Sequence, residues 1–224
     1  NIILNNNDPM DSDSAGGTYH GTGVAGVIAA VANNNYLISG VAQVSVMALA
    51  ALGPNGEGSS YNTSLAIRWA ANHGARIINL SLGTNTTLIG PTDIQQAINY
   101  AWSRGALVIA AAGNSGTNSL DYPASLSNVV SVAAVDQTGT RASFSNYGTG
   151  LALSAPGVQI LTLSANNNVH HLSGTSLATP FVSGVAALLL SHDPTLTNVE
   201  LWNVLNQTAV PVGTSGYNTQ YGWG

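Results

Sequence analysis

Residues 106–114 read ALVIAAAGN, an unbroken apolar run that ends in glycine and asparagine. Such a run without polar alternation is typical of a strand that helices cover on both faces. Three further runs share this character: residues 44–52, 76–82 and 129–135. Two segments with helical apolar spacing lie between them and stop at a glycine: residues 65–73 and 92–104. This alternation predicts an α/β fold, a mostly parallel sheet with helices on both faces.

The composition excludes several classes of protein. The chain has 224 residues, of which 45% are hydrophobic, and no repeat or linker-like segment divides it, so we expect one domain over residues 1–224. Only 6% of the residues are charged, and the four cations are scattered arginines, which argues against nucleic acid as a partner. The longest apolar runs are shorter than the roughly 18 residues of a membrane span. No cysteine is present, which excludes disulfides and thiolate chemistry.

Residues 20–26 read HGTGVAG and contain the glycine spacing of a dinucleotide-binding loop. That loop requires an apolar strand before it and an acid about twenty residues after it. Here residues 11–20 are polar and residues 41–47 contain no acid, so a dinucleotide oxidoreductase is only a distant alternative. His20 is better interpreted as a catalytic residue at the start of a helix whose small residues allow close packing. A lone histidine is, however, more often structural.

Residues 174–180 read GTSLATP and precede an apolar helical run, residues 181–190. At a helix N-terminus, Ser176 has its own backbone N–H and the helix dipole available to stabilise an oxyanion. A simple helix cap is an equally good reading of this segment alone. Asn114 closes an apolar strand at the edge of the sheet where sites assemble in parallel folds. It is a candidate second oxyanion donor, or else an ordinary turn residue.

Together these segments resemble the subtilisin-like serine proteases, the subtilases. Residues 20–26 resemble the histidine motif of the family, residues 174–180 its serine motif, and residues 111–114 its oxyanion strand, in the same order. The similarity covers residues 8–224 and continues through four shorter segments: residues 78–83, 122–124, 141–145 and 155–157. The resemblance implies a serine endopeptidase in which Ser176 is the nucleophile, His20 the general base and then acid, and Asn114 an oxyanion donor.

The resemblance also implies where a substrate lies. An extended peptide would add as a strand between residues 56–58 and 81–83. The implied substrate-binding residues are Gly56, Gly58, Ser81, Leu82, Gly83, Ala112, Gly113 and Asp121. Asp121 falls near the base of the pocket for the residue before the scissile bond, where a carboxylate would favour Arg or Lys. Its alternative place is a loop position facing solvent.

The catalytic aspartate of the family, which closes an apolar strand well before the histidine, has no counterpart in this sequence. Asp8, Asp11 and Asp13 precede His20 by 12, 9 and 7 residues and follow no apolar strand. We expect them to be solvated loop acids rather than the triad acid. The chain thus resembles a family member trimmed at both ends, and the alternative to a protease is an inactive, peptide-binding homologue.

Residues 32–38, ANNNYLI, resemble the calcium loop of the family, with Asn34 as the side-chain ligand and backbone carbonyls as the others. A plain asparagine turn is the other interpretation. The implied chemistry needs no cofactor, so structural Ca²⁺ is the only metal expected. The resemblance further implies a secreted, monomeric protein that matures with an N-terminal propeptide and acts on polypeptides, with no role for a membrane.

Overall fold

The computed structural model describes residues 1–3, 5–8, 11, 19–85, 91–213 and 216–224. Five helices and six strands are assigned there. In chain order they are α1 (His20–Ala29), α2 (Ser60–Asn72), β1 (Ile77–Leu80), α3 (Pro91–Ser103), β2 (Leu107–Ala111), β3 (Val129–Val135), β4 (Leu153–Pro156), β5 (Ile160–Ser164), β6 (Asn168–Leu172), α4 (Thr175–His192) and α5 (Asn198–Thr208).

The central sheet has the order β1-β2-β3-β4, and all three neighbouring pairs are parallel. Every residue of β2 is buried. Because successive side chains of a strand point to opposite faces, β2 contributes to two cores. Leu107 and Ile109 pack with α4 and α5, whereas Val108 and Ala110 pack with α2 and α3. The predicted α/β fold with helices on both faces of a parallel sheet is confirmed.

The predicted strand over residues 44–52 is wrong. These residues form no β-ladder with a neighbouring strand, and Val46 and Met47 are exposed. An apolar run becomes a strand only when a neighbour satisfies its backbone N–H and C=O groups. Among the described residues, β1 pairs only with β2, and the segment receives a single backbone bond, from Ile2 N to the Ala50 carbonyl at 3.0 Å. The antiparallel hairpin of β5 and β6 was not predicted from the sequence.

Helix α4 has the length and composition of a possible membrane span, which the apolar runs in the sequence did not reveal. More than half of this 18-residue segment is buried. The helix packs against all four strands of the central sheet and against α1. It is therefore the core helix of the fold, and it carries Ser176 in its first turn.

The start of α5 is held by the capping box that the spacing of Thr197 and Glu200 indicates. Glu200 N donates to Thr197 Oγ1 at 3.2 Å, and the Glu200 carboxylate accepts from Thr197 N at 2.9 Å and from Thr197 Oγ1 at 2.8 Å. These bonds to the backbone N–H and the hydroxyl of Thr197 hold the pKa of Glu200 below its usual value.

We expect Thr197→Ala to lower the free energy of unfolding by about 1 kcal/mol, the usual effect of losing an N-cap. A lowered carboxyl pKa contributes stability above the unfolded-state pKa, and this contribution disappears as the pH falls through the folded-state value. The difference between wild type and variant should therefore shrink in acid. Urea unfolding at several pH values measures it, and a difference that stays constant would contradict the role of Glu200.

Candidate active site

The ends of β1 and β2 meet the start of α4 at the carboxyl edge of the sheet. Ser176 Oγ donates to the Ser81 carbonyl at 3.3 Å, and Ser81 Oγ donates to the Ser176 carbonyl at 2.7 Å. The Ser176 carbonyl is available because residue 180, which would donate to it within the helix, is Pro180 and has no N–H. Two hydrogen bonds thus connect the predicted nucleophile, Ser176, with the predicted substrate-binding residue Ser81. Ser176 itself is half-buried.

Thr175 fixes the side chain of Asn114. Asn114 Oδ1 accepts from Thr175 N at 2.8 Å and from Thr175 Oγ1 at 2.9 Å. Thr175 Oγ1 is fully buried and also accepts from Gly113 N at 3.2 Å. Because Thr175 engages the oxygen of the Asn114 amide, the Nδ2 is the part of this side chain that can donate a hydrogen bond to a ligand. Thr175 is a candidate site residue that sequence reasoning missed, although it lies inside the quoted motif.

Gly174 lies next to both the amide of Asn114 and the backbone N–H of Ser176. A Cβ at this position would lie 3.5 Å from Asn114 Nδ2, 3.7 Å from Asn114 Oδ1 and 3.7 Å from Ser176 N, and the backbone has a φ of 156°. The Ser176 N–H belongs to the first turn of α4, whose amides have no acceptor within the helix. The amide nitrogen of Asn114 and the backbone nitrogen of Ser176 therefore lie close to one point, the place of a Cβ on Gly174.

His20 is the first residue of α1, as predicted. The small residues of this helix do allow close packing: Gly23 and Gly26 lie against Thr162 of the β5–β6 hairpin, where a Cβ would come within 3.0 Å and 2.8 Å of its side-chain atoms. Helix α1 also packs against α4. The two helices that begin with the histidine motif and the serine motif are therefore neighbours.

Asp11 differs from its predicted place as a solvated loop acid. It is partly buried, and its Oδ2 accepts from Thr22 N at 2.7 Å and from Thr22 Oγ1 at 2.9 Å. Asp11 thereby caps α1, where the side chain of the N-cap residue Tyr19 makes no capping hydrogen bond. Asp8 is exposed, as expected. Asp13 lies outside the described residues.

Asp121 lies on a loop, as the alternative interpretation of the sequence had it, but its side chain is half-buried and hydrogen-bonded. Its carboxylate accepts from Asn146 Nδ2 at 2.9 Å and lies against Gly113, where a Cβ would come within 2.5 Å of Oδ2. Burial raises its pKa, and the hydrogen bond from Asn146 opposes that shift. Asn146 is fully buried and was missed in the sequence, although it follows residues 141–145 directly.

The remaining predicted substrate residues lie on three segments. Ala112 and Gly113 continue β2 and are buried, while Leu82 and Gly83 follow Ser81. Gly56 and Gly58 lie on the turn between residues 53 and 59, where a Cβ on Gly58 would come within 2.7 Å of the Ala51 carbonyl. Nothing in these contacts tests the addition of a substrate strand, which stays a prediction.

The loop of the predicted calcium ligand is a tight turn. Asn34 is exposed, and its Oδ1 accepts from Tyr36 N at 3.0 Å. No carboxylate occurs in residues 30–42. Within the described ranges no three His, Asp or Glu side chains are grouped as a metal site would need. The loop offers oxygen ligands of the kind that Ca²⁺ prefers, and the predicted ligand set takes one of them from a side chain, Asn34.

Comparison with known proteins shows which family the chain is similar to. The profile of the subtilase family matches residues 3–224. The chain is 43% identical to a thermophilic serine proteinase of Bacillus sp. (strain AK1), over 99% of this chain and 53% of that protein. It is 43% identical to the M-protease of Shouchella clausii (strain KSM-K16), over 92% of this chain and 54% of that protein.

Two further relatives extend the comparison. Subtilisin Savinase of Lederbergia lenta is 42% identical over 92% of this chain and 76% of its own. The solved structure of sphericase superposes with a TM-score of 0.82 at 34% identity, over 92% of this chain and 76% of that one. The chain spans about half the length of the first two relatives. A profile match over nearly the whole chain and identities above 40% show that the protein belongs to the subtilase family.

Proposed function

We propose that this protein is a serine endopeptidase that works through an acyl-enzyme, with Ser176 as nucleophile, His20 as general base and acid, and Asn114 as oxyanion donor. One observation carries the proposal: Asn114 Nδ2 and Ser176 N lie within 3.7 Å of the same point, the place of a Cβ on Gly174, at the start of the helix that carries Ser176. Donors fixed in advance around the point where negative charge develops are the main requirement for acyl transfer.

The chemistry follows from these groups. Ser176 Oγ attacks the substrate carbonyl carbon while its proton passes to His20. The carbonyl oxygen becomes an oxyanion, which Asn114 Nδ2 and the Ser176 N–H stabilise by hydrogen bonds. Collapse of the intermediate breaks the C–N bond, and His20 delivers the proton to the leaving amine. Water then attacks the acyl-enzyme in the same way and frees Ser176.

In a complete triad, an acid orients the imidazole of the histidine. Asp11 is engaged by Thr22, and we propose that neither it nor Asp8 fills that role. In subtilisin itself, loss of the triad aspartate alone lowers turnover by roughly 10⁴-fold. The engagement of Asp11 in capping also supports the second candidate, a subtilase homologue that binds peptides and is catalytically impaired.

Polypeptides are the substrates that membership in the subtilase family supports. Secretion, a propeptide and a monomeric state are implied by the same membership and stay predictions. The chemistry proposed here requires no cofactor. For the structural Ca²⁺ we propose Asn34 and the carbonyls of residues 32–38 as ligands; because this loop has no carboxylate, a tight site would need one from another part of the protein.

Incubation with a reduced, alkylated polypeptide, followed by mass mapping of the fragments, tests the proposed function. We expect internal cleavages that disappear when a serine-directed inhibitor is added. Cleavage only from the chain ends, or cleavage that the inhibitor leaves unchanged, would contradict it. If the folded chain binds the polypeptide and leaves it intact, the peptide-binding candidate is correct instead.

A further inference from the structure

Helix α4 carries the proposed nucleophile in its first turn and a proline one turn later. In an uninterrupted helix the Ser176 carbonyl would accept from the N–H of residue 180, but Pro180 has no N–H. A proline inside a helix also tends to bend it, because its ring crowds the carbonyl four residues before it. The turn that carries Ser176 therefore has one hydrogen bond fewer to the rest of α4 than an uninterrupted helix would provide.

Two polar side chains, Asn79 in β1 and Ser81 just after it, lie on the side of this strand that faces α4. Side chains two residues apart on a strand share a face. The alternate residues, Ile78 and Leu80, pack in the core on the opposite face, with α2 and α3. Ser81 is buried and Asn79 is partly buried, so both need hydrogen-bond partners within the protein.

A chain of hydrogen bonds joins these two side chains to α4 on both sides of the proline. Ser183, three residues after Pro180, is fully buried, and its Oγ donates to Asn79 Oδ1 at 2.8 Å. Asn79 Nδ2 donates to Ser81 Oγ at 2.9 Å, and Ser81 Oγ donates to the Ser176 carbonyl at 2.7 Å. The strand thus supplies the donor that the proline cannot, and it connects the turns of α4 before and after Pro180.

The direction of each bond follows from the groups involved. A serine hydroxyl has one proton, and the Asn79 amide already donates to the Ser81 oxygen. The Ser81 proton is therefore directed to the Ser176 carbonyl. The orientation of the amide is set in turn by Ser183, whose Oγ lies 2.8 Å from Asn79 Oδ1 and 3.2 Å from the Thr179 carbonyl. Asn79 thereby acts on Ser176 through Ser81, without touching it.

We propose that Asn79 and the Ser81 hydroxyl are positioning groups, which connect α4 across Pro180 and so hold Ser176 Oγ in place for attack. The inference rests on the proposed function, since it gives these groups a task in the reaction of Ser176. Displacing a reacting group by about 1 Å can lower turnover by about 10²-fold. Ground-state binding should change little, because a peptide that adds as a strand binds the backbone of residues 81–83 and not this hydroxyl.

Steady-state kinetics of the 224-residue chain with a chromogenic peptide test the inference, in Ser81→Ala, Asn79→Leu and the double variant. Ser81→Ala removes the hydroxyl and keeps the carbonyl that accepts from Ser176 Oγ. Asn79→Leu keeps the size of the side chain and removes the amide. We expect each single variant to lower kcat about tenfold, with KM within about twofold of wild type. The double variant should lose no more than Ser81→Ala alone, because both groups act through one bond.

Two further variants separate positioning from a general loss of stability. Ser81→Thr keeps a hydroxyl at this position and should retain kcat within about threefold of wild type. Ser191→Ala is the matched control, because Ser191 is exposed and its Oγ donates to the Ala187 carbonyl of the same helix at 2.9 Å. This control should leave kcat within a factor of about two.

An unchanged kcat in Ser81→Ala, or a loss that appears only in KM, would overturn the inference. That result decides even if Asn79→Leu fails to fold. An equal loss in Ser81→Thr and Ser81→Ala, or losses that multiply in the double variant, would also overturn it. Failure of the proposed function is distinguishable, because wild type itself would then show no turnover, and the inference would be overturned with it.

Discussion

Replacing Ser176 by alanine is expected to abolish hydrolysis of peptide bonds. The substitution removes the Oγ that forms the acyl-enzyme, while the backbone N–H in the first turn of α4 remains. In subtilisin, loss of the nucleophilic serine lowers turnover by roughly 10⁶-fold and loss of the aspartate alone by roughly 10⁴-fold, and these losses are not additive. On the proposal that neither of the described N-terminal acids orients His20, we therefore expect Ser176→Ala to remove the remaining contribution, roughly 10²-fold. The measurement is kcat for a chromogenic peptide under conditions where wild type is saturated.

Ser173→Ala is the matched control for this experiment. Ser173 lies three residues before the nucleophile, is exposed, and accepts only from the Gln159 backbone and side chain. Its replacement should leave kcat within a factor of about two, because it touches none of the groups assigned to catalysis. Full activity in Ser176→Ala would show that another group is the nucleophile.

Asn114→Leu is expected to lower kcat by about 10²-fold to 10³-fold with little change in KM. The donor Nδ2 is lost while the size of the side chain is kept, and an oxyanion donor acts mainly in the transition state. The range is again that of the corresponding donor in subtilisin. A loss that appears in KM alone would mean that Asn114 binds the substrate in its ground state and does not stabilise the oxyanion.

Thr175→Val tests how Asn114 is held. It removes the hydroxyl that donates to Asn114 Oδ1 and accepts from Gly113 N, while keeping the shape of the side chain. We expect a smaller loss in kcat, about tenfold, and no further loss when Asn114→Leu is already present. Additive losses in the double variant would show that Thr175 acts independently of Asn114.

Much of the site was predictable because its segments are local in the sequence. The helix that begins at His20, the end of β2 at Gly113 and Asn114, and the glycine before α4 each follow from neighbours within a few residues. The links between these segments were not predictable. Thr175 reaches Asn114 across 61 residues, and Ser81 reaches Ser176 across 95. Neither pairing leaves a periodic signal in the sequence.

The predictions that were wrong also involve contacts between residues that lie far apart in the sequence. Residues 44–52 have the composition of a buried strand, but a strand is defined by its neighbours, and β1 offers them no pairing among the described residues. Asp11 looked like a solvated acid because its partner, Thr22, lies eleven residues away on the first turn of α1. Asp121 is turned inward by Asn146, 25 residues further along the chain, which no spacing rule indicates.

The most direct test of the central claim is the reaction of the 224-residue chain with a fluorophosphonate, followed by mass mapping of the adduct. A serine reacts at a useful rate only when a base takes its proton and donors stabilise the oxyanion. The account predicts one adduct, on Ser176, which is absent in Ser176→Ala and much slower to form in Asn114→Leu. A folded chain that stays unlabelled, or that is labelled at another residue, would contradict it.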